Sequence, residues 1–160
     1  MITQQLLKSL FIYENGNLIW KKPLSNICKV GSIAGFVRPP QNYRYIGIER
    51  KYYSAHRLIF MYHYGYLPDN VDHVDGNVLN NTIENLRPCT QSQNLFNSKK
   101  PSSNKSGYKG VSWYESNKKW CAKVKFGKKA HRKFFDDIEM ANEWAMKTRN
   151  TLHGEFVKHL

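Results

Sequence analysis

Positive charge is packed into one stretch of this chain rather than spread along it. Between Lys99 and Lys133 there are twelve basic residues and one acid, Glu115, whereas residues 1–98 hold ten basic residues in nearly three times the length. That shift divides the chain into two functional parts. Its 160 residues leave room for one ordinary domain or two very small ones. The formal net charge of +13 sets up a positive field that draws polyanions, either nucleic acid or an anionic membrane. No apolar run approaches the ~20 residues that span a bilayer. The start, Met1-Ile2-Thr3-Gln4-Gln5, lacks the basic region of a signal peptide. A cytoplasmic protein with no membrane partner is therefore expected.

The hydrophobic fraction of 41% is enough to fold and too high for a wholly disordered tail. Cys28, Cys89 and Cys121 form an odd set without a C-x-x-C pair. They suit neither a disulfide framework nor a four-cysteine zinc site, and they read as reduced thiols in or near strands.

Turn chemistry and periodicity predict the elements. Residues 10–13 and 18–20 flank Glu14-Asn15-Gly16-Asn17, whose Asn-Gly pair suits a tight hairpin. Residues 23–42 are rich in Pro, Gly, Ser and Asn, and read as loop with one short strand near 31–37. A strand pair over 43–48 and 51–53 precedes a helix that Ser54 would cap and Gly65 would end. From residue 70 to 97 the order is strand, Asx-rich loop, short strand, then a helix capped by Thr90. After a polar linker, strands over 110–114, 120–126 and 130–134 lead into a helix over 137–152. Asp136 would cap it, Glu139 would complete a capping box and Gly154 would stop it.

Asp72-His73 falls at the end of a strand, and Asn94 follows 21 residues after His73 in the first turns of a helix. A carboxylate, an imidazole and an amide oxygen can thereby converge on one point. Phosphodiester hydrolysis asks for these types. A hard divalent cation neutralises charge developing on the phosphate. Mg²⁺ takes few protein ligands, all oxygen, and Asp72 and Asn94 offer two. An unperturbed imidazole titrates near neutrality, so histidine is the type that can take a proton from the attacking water, and His73 is the candidate.

These residues carry a resemblance. Asp72-His73-Val74-Asp75-Gly76-Asn77, then Asn80-Asn81, then Glu84-Asn85-Leu86, preceded by Ala55-His56-Arg57-Leu58, resembles the HNH motif of phage intron-encoded homing endonucleases over roughly residues 10–98. The resemblance implies a ββα-metal (His-Me finger) fold. It makes Asp72 a metal ligand and His73 the general base. It makes Asn85 the middle residue of the motif, bracing the loop through backbone hydrogen bonds. Asn94 takes the third position, where many members have histidine. An amide oxygen there favours Mg²⁺ or Mn²⁺, one ion per active site, with no structural zinc. His56 and Arg57 become candidates for DNA contact, although His56 is equally a satisfied partner at a helix start. His63 reads as packing and Asp75 as a turn cap. His131, His153 and His159 receive no catalytic role.

In the middle of these three strands, Lys119-Trp120-Cys121-Ala122-Lys123-Val124-Lys125-Phe126, alternation separates Trp120, Ala122, Val124 and Phe126 from Lys119, Lys123 and Lys125. One face would pack on the helix while the other presents ammonium groups to a DNA groove. Residues 106–160 resemble the ethylene-response-factor (Apetala-type) DNA-binding domain through Ser106-Gly107-Tyr108-Lys109-Gly110-Val111, Phe135-Asp136 and Leu152-His153-Gly154. That resemblance implies a three-stranded sheet on one helix that reads the major groove. Lys109, Trp113, Lys119, Lys123, Lys125 and Arg132 would be the contacts, with Tyr114 a further possibility. Lysine largely replaces the family's reading-strand arginines, which points to phosphate contact more than to base readout.

The fold expected is α+β. A nuclease domain over 1–98 with flanking antiparallel strands is joined by a basic polar linker over 99–106 to a sheet-plus-helix DNA-binding domain over 107–160. The function expected is a sequence-directed, single-metal DNA endonuclease of homing type, in the cytoplasm of a bacterial or phage-infected host. It would act on double-stranded DNA as a monomer or weak dimer, without a small-molecule cofactor. A monomer would nick, and a double-strand break would need two events. The alternatives are a non-catalytic DNA-binding regulator with a degenerate HNH fold and an RNA-binding protein.

Overall fold

The computed structural model describes residues 2–24, 28–96 and 103–156. Part of the expected linker, part of the loop over 23–42, and His159 lie outside them. The chain divides into two compact units, Met1–Cys89 and Thr90–Leu160.

The first unit opens with a helix that sequence patterning did not announce, α1 (Gln4–Leu10), capped by Thr3, whose side chain accepts from the Leu6 N–H at 3.1 Å. It runs directly into β1 (Phe11–Glu14) and β2 (Asn17–Trp20), an antiparallel hairpin. Asn15 and Gly16 turn it with φ of 45° and 78°, the left-handed pair that Asn-Gly supplies most readily. A second antiparallel sheet, in the order β3-β4-β5, comprises β3 (Phe36–Arg38), β4 (Tyr43–Ile48) and β5 (Lys51–Ser54). Helix α2 (Ala55–Tyr64) follows, and Gly65 ends it with φ 77°. Ser54 occupies the N-cap position as expected, but its side chain makes no capping bond.

Leu58, Ile59 and Phe60 of α2 bury against Leu7, Leu18 and Ile46 in one core. Burial of that kind stabilises by roughly 1.5–3 kcal/mol per large apolar side chain. A short two-stranded ribbon, β6 (Asn70–His73) with β7 (Leu86–Cys89), then carries the acidic and histidine residues of interest. A 3-10 turn over Ile83–Asn85 leads into β7.

The second unit begins with α3 (Gln91–Phe96). Thr90 Oγ1 accepts from the Gln93 N–H at 3.2 Å and the Gln93 side chain accepts from the Thr90 N–H at 2.8 Å. That is the reciprocal capping box. Three antiparallel strands in the order β10-β9-β8 follow, with β8 (Val111–Tyr114), β9 (Lys119–Phe126) and β10 (Lys129–Phe135). Helix α4 (Ile138–His153) packs on the sheet through Ala141 and Ala145 against Val111, Ala122 and Val124.

Four details differ from expectation. Asp137, not Asp136, caps α4, accepting from the Met140 N–H at 2.9 Å. Asp136 instead pairs with Lys119 at 3.0 Å, and Glu139 accepts from the Tyr108 hydroxyl rather than closing a capping box. Phe126 is exposed and stacks on His153 instead of entering the core. Arg149 continues the Ala141–Ala145 stripe into the interior and donates to the Lys109 carbonyl at 2.6 Å.

Beside that bond sits Gly110, with φ 76°, where a Cβ would come within 2.7 Å of the Lys123 carbonyl oxygen. Among the described residues no helix is long and apolar enough to cross a membrane.

Candidate active site

The pairing register of the ribbon builds the site. Asp72 lies opposite Arg87 and His73 opposite Leu86. Both Asp72 and His73 are buried, at 6% and 3% exposure. A buried carboxylate needs charge-assisted partners. Arg87 supplies them by donating from Nε and Nη2 to Asp72 Oδ2 at 3.1 and 2.9 Å.

Below His73 the chain turns through an Asx-rich loop that closes on its own side chains. Asp75 Oδ1 accepts from the Asn77 N–H at 2.7 Å, and Asp75 Oδ2 accepts from Asn80 Nδ2 at 2.8 Å. Buried Asn85 is the hub. Its Oδ1 accepts from the Asp75 N–H at 3.0 Å, and its Nδ2 donates to the Asn80 carbonyl at 2.7 Å and to Asp75 Oδ1 at 2.9 Å. Burial works to raise the Asp75 carboxyl, but these hydrogen bonds hold it below its usual range. Asp75 therefore tethers the turn.

His73 is oriented by a residue that motif reasoning passed over. Its Nε2 lies 2.9 Å from Asn81 Oδ1, and Asn81 is 3% exposed. With the amide oxygen as acceptor, Nε2 carries the ring proton and Nδ1 is the basic nitrogen. The His56 ring stands 5.0 Å away, and Tyr43 lies 5.2 Å from His56 and 6.1 Å from His73. Burial, reinforced by His73 and Arg57, pushes the His56 imidazole down to about 3. His56 is thus a neutral ring at neutral pH. Burial and the nearby Asp72 raise the Tyr43 phenol, which keeps it protonated and able to donate. Arg57 donates to the Asp69 carbonyl at 2.9 Å, tying α2 to the chain that enters β6. His63 sits edge-on to Tyr13 at 4.4 Å, in a packing role.

The first unit thus packs His73 with Asn81, His56 and Tyr43, pairs the neighbouring Asp72 with Arg87, and closes the following loop on Asn85. Asn94 belongs to the second unit, on the exposed side of α3, with its backbone N–H on the Thr90 carbonyl at 3.0 Å. Among the described residues no group of three or more His, Cys, Asp or Glu side chains is placed to hold a metal ion. One buried carboxylate suits a hard cation that keeps most of its waters. It does not suit a four-ligand zinc site. Burial, with Asp72 adding to it, pushes the Cys89 thiol up to about 11, far from the thiolate that zinc takes.

In the second unit, Arg132 lies opposite Lys123 and Phe134 opposite Cys121. Tyr114 pairs with Lys119 and Ser112 with Cys121. One face of the sheet therefore carries Lys119, Lys123, Lys125, Arg132 and Tyr114. Trp113 pairs with Trp120, their rings 5.1 Å apart, and so lies on the opposite face from those cations. It was expected beside them. Its indole N–H donates to Glu115 at 2.6 Å. Lys109 precedes β8.

Asn81 and Tyr43 were the residues sequence reasoning missed. The second asparagine of Asn80-Asn81 was one available signal, because a turn needs only one Asx residue. Nothing local marked Tyr43, whose approach depends on how β4 packs beside α2.

Comparison with known proteins converges on the same segment. The model of an HNH endonuclease family matches residues 53–95, the span that holds His56, Asp72, His73, Asn81, Asn85 and Asn94. Protein 3.8 of Escherichia phage T7 is 39% identical over 88 residues, covering 55% of this chain and 73% of the phage protein. An uncharacterized HNH endonuclease of Acanthamoeba polyphaga mimivirus is 40% identical over 106 residues, 64% of this chain, and this chain spans about half of it, 54%. No solved structure matches. The chain carries an HNH endonuclease domain over residues 53–95.

Proposed function

We propose that the protein is a metal-dependent DNA endonuclease in which His73 is the general base and Asp72 and Asn94 are the metal ligands. The observation that carries this reading is the buried Asp72–His73 pair with His73 Nε2 held by Asn81. An imidazole fixed in that tautomer presents Nδ1 to take the proton of the attacking water. His56, neutral and packed on His73, adds no competing positive charge beside that base. Asn85 keeps the loop closed so that His73 stays at the strand end. A divalent cation held by Asp72 and Asn94 would neutralise charge developing on the scissile phosphate. The antiparallel β6–β7 ribbon is in keeping with the paired strands of a ββα-metal finger, and the homing-type role rests on the resemblance of the motif.

Residues 107–156 form, on this reading, a DNA-binding module of ethylene-response-factor type. Its support is the three-stranded sheet backed by α4, with Lys119, Lys123, Lys125 and Arg132 on one face. About six phosphate contacts would make log affinity fall with log salt at a slope of about −5. One active site per chain nicks one strand per binding event.

A second reading, a DNA-binding regulator that does not cleave, is favoured by one observation: Arg87 already engages Asp72. Supercoiled plasmid incubated with Mg²⁺, with Mn²⁺ and with EDTA separates the two. Metal-dependent open circles, absent with His73→Ala, support the nuclease. Tight binding without nicking, on DNA of the source genome as well, supports the regulator.

A further inference from the structure

The sheet in front of the active site has one face that the core does not use. Ile46, Ile48 and Tyr53 turn toward α2 and the interior. The opposite face, read from the register, carries Arg38 beside Tyr43, Phe36 beside Tyr45, and Tyr52 beside Gly47. Gly47 has no side chain, and the Tyr52 ring lies across it, 3.4 Å from where a Cβ would stand. Tyr52 is 66% exposed and Phe36 47% exposed, their rings edge-on at 5.6 Å. Two exposed rings side by side are costly in water unless something covers them.

Two cations flank this face. Arg38 falls on it and Arg50 stands at its edge, whereas the register turns Arg44, opposite Val37, and Lys51, opposite Ile48, to the other face. Arg50 lies at the β4–β5 turn, and both Glu49 and Arg50 take left-handed φ there, 49° and 64°. The face is also continuous with the candidate site, because Tyr43 lies on it and touches both His56 and His73. Aromatic rings interleaved with cations form the surface that holds a nucleic-acid strand, the bases on the rings and the phosphates on the cations.

We propose that this outer face of β3–β4–β5 seats the DNA strand next to the scissile phosphate, with Tyr52 and Phe36 stacking on unpaired or splayed bases. Arg38 and Arg50 take the flanking phosphates. Tyr43 is the junction at which the bound strand passes from this platform to the catalytic imidazole. The proposal rests on the nuclease reading for what lies at the end of the strand, and on the sheet alone for the binding.

Photo-crosslinking of the full chain carrying His73→Ala tests it. The probe is a short DNA substituted with 5-iodouracil at successive positions, offered as duplex and as a single strand. The proposal expects adducts on the peptides containing Tyr52 and Phe36, stronger with the single strand. It also expects Tyr52→Ala with Arg38→Gln to raise KM for nicking by about tenfold, the scale of one lost base stack, with kcat unchanged. Tyr52→Phe, which keeps the ring, should restore KM. Adducts confined to residues 107–156, with KM unmoved by the double variant, would overturn it. So would a dimer that Tyr52→Ala dissociates without changing crosslinking, since the face would then meet a second copy. If the wild type nicks nothing while the sheet still crosslinks, the nuclease reading fails and the binding surface stands.

Discussion

Acid should loosen the first unit before any carboxylate protonates, and His56 is the reason. Its imidazole titrates at 6.5 when exposed and at about 3 in the fold. A group whose folded value is depressed stabilises fully above its unfolded value and loses that contribution as pH falls toward the folded value. The window here opens near 6.5 and runs down toward 3. Each pH unit inside it costs about 1.4 kcal/mol, so lowering the pH from about 7.5 to about 5 should cost about 2 kcal/mol through this one ring. The assay is native-state hydrogen exchange read by mass spectrometry on peptides of α2 and β6, in wild type and in His56→Gln. The wild-type opening free energy should drop by about 2 kcal/mol more than that of the variant over that range. His63, also lowered by burial, contributes the same sign to both proteins and cancels in the comparison. Parallel pH profiles for wild type and variant would refute the reasoning, because they would mean that protonating His56 costs the fold nothing.

Other perturbations probe the remaining parts. Asn81→Leu removes the acceptor at His73 Nε2 and should lower kcat about 10- to 100-fold, with the circular dichroism spectrum unchanged. Asn81→Asp, which restores an acceptor, should recover part of that loss. Asn85→Ala strips the loop of three side-chain hydrogen bonds, and urea unfolding should show a loss of about 2–4 kcal/mol. Gly110→Ala forces a Cβ to within 2.7 Å of the Lys123 carbonyl at positive φ and should destabilise the second unit by about 1–3 kcal/mol, seen in its exchange-protected amides. EDTA should abolish nicking while leaving the melting temperature unmoved.

Local chemistry carried most of the fold. Asn15-Gly16 announced its hairpin, Thr90 its cap, and Gly154 the end of α4. What stayed hidden depended on distant partners. Helix α1 is short, seven residues, and its leucines run straight into β1, so no periodicity had length to emerge. Asp136 and Asp137 are equally good caps in isolation, and Lys119, seventeen residues away, decides between them. The face on which Trp113 falls follows from the β8–β9 register, which no single strand records. Arg149 sits four residues beyond Ala145, where a charged residue is rarely interior, yet its Nη1 donates to the Lys109 carbonyl. At the site, the motif marked Asp72, His73 and Asn85 by type and spacing. His56 and Tyr43 join them only because the second sheet delivers α2 to the ribbon.

The loop that bears His73 is closed by its own backbone together with amide and carboxylate side chains. In a zinc finger the ion is part of the fold, so losing it means unfolding and regaining it means folding. Here Asp75, Asn80 and Asn85 complete the turn by themselves. A cation taken by Asp72 on the proposed reading would therefore meet a loop already tied by its own residues, and its entry would be set by the release of the carboxylate from Arg87.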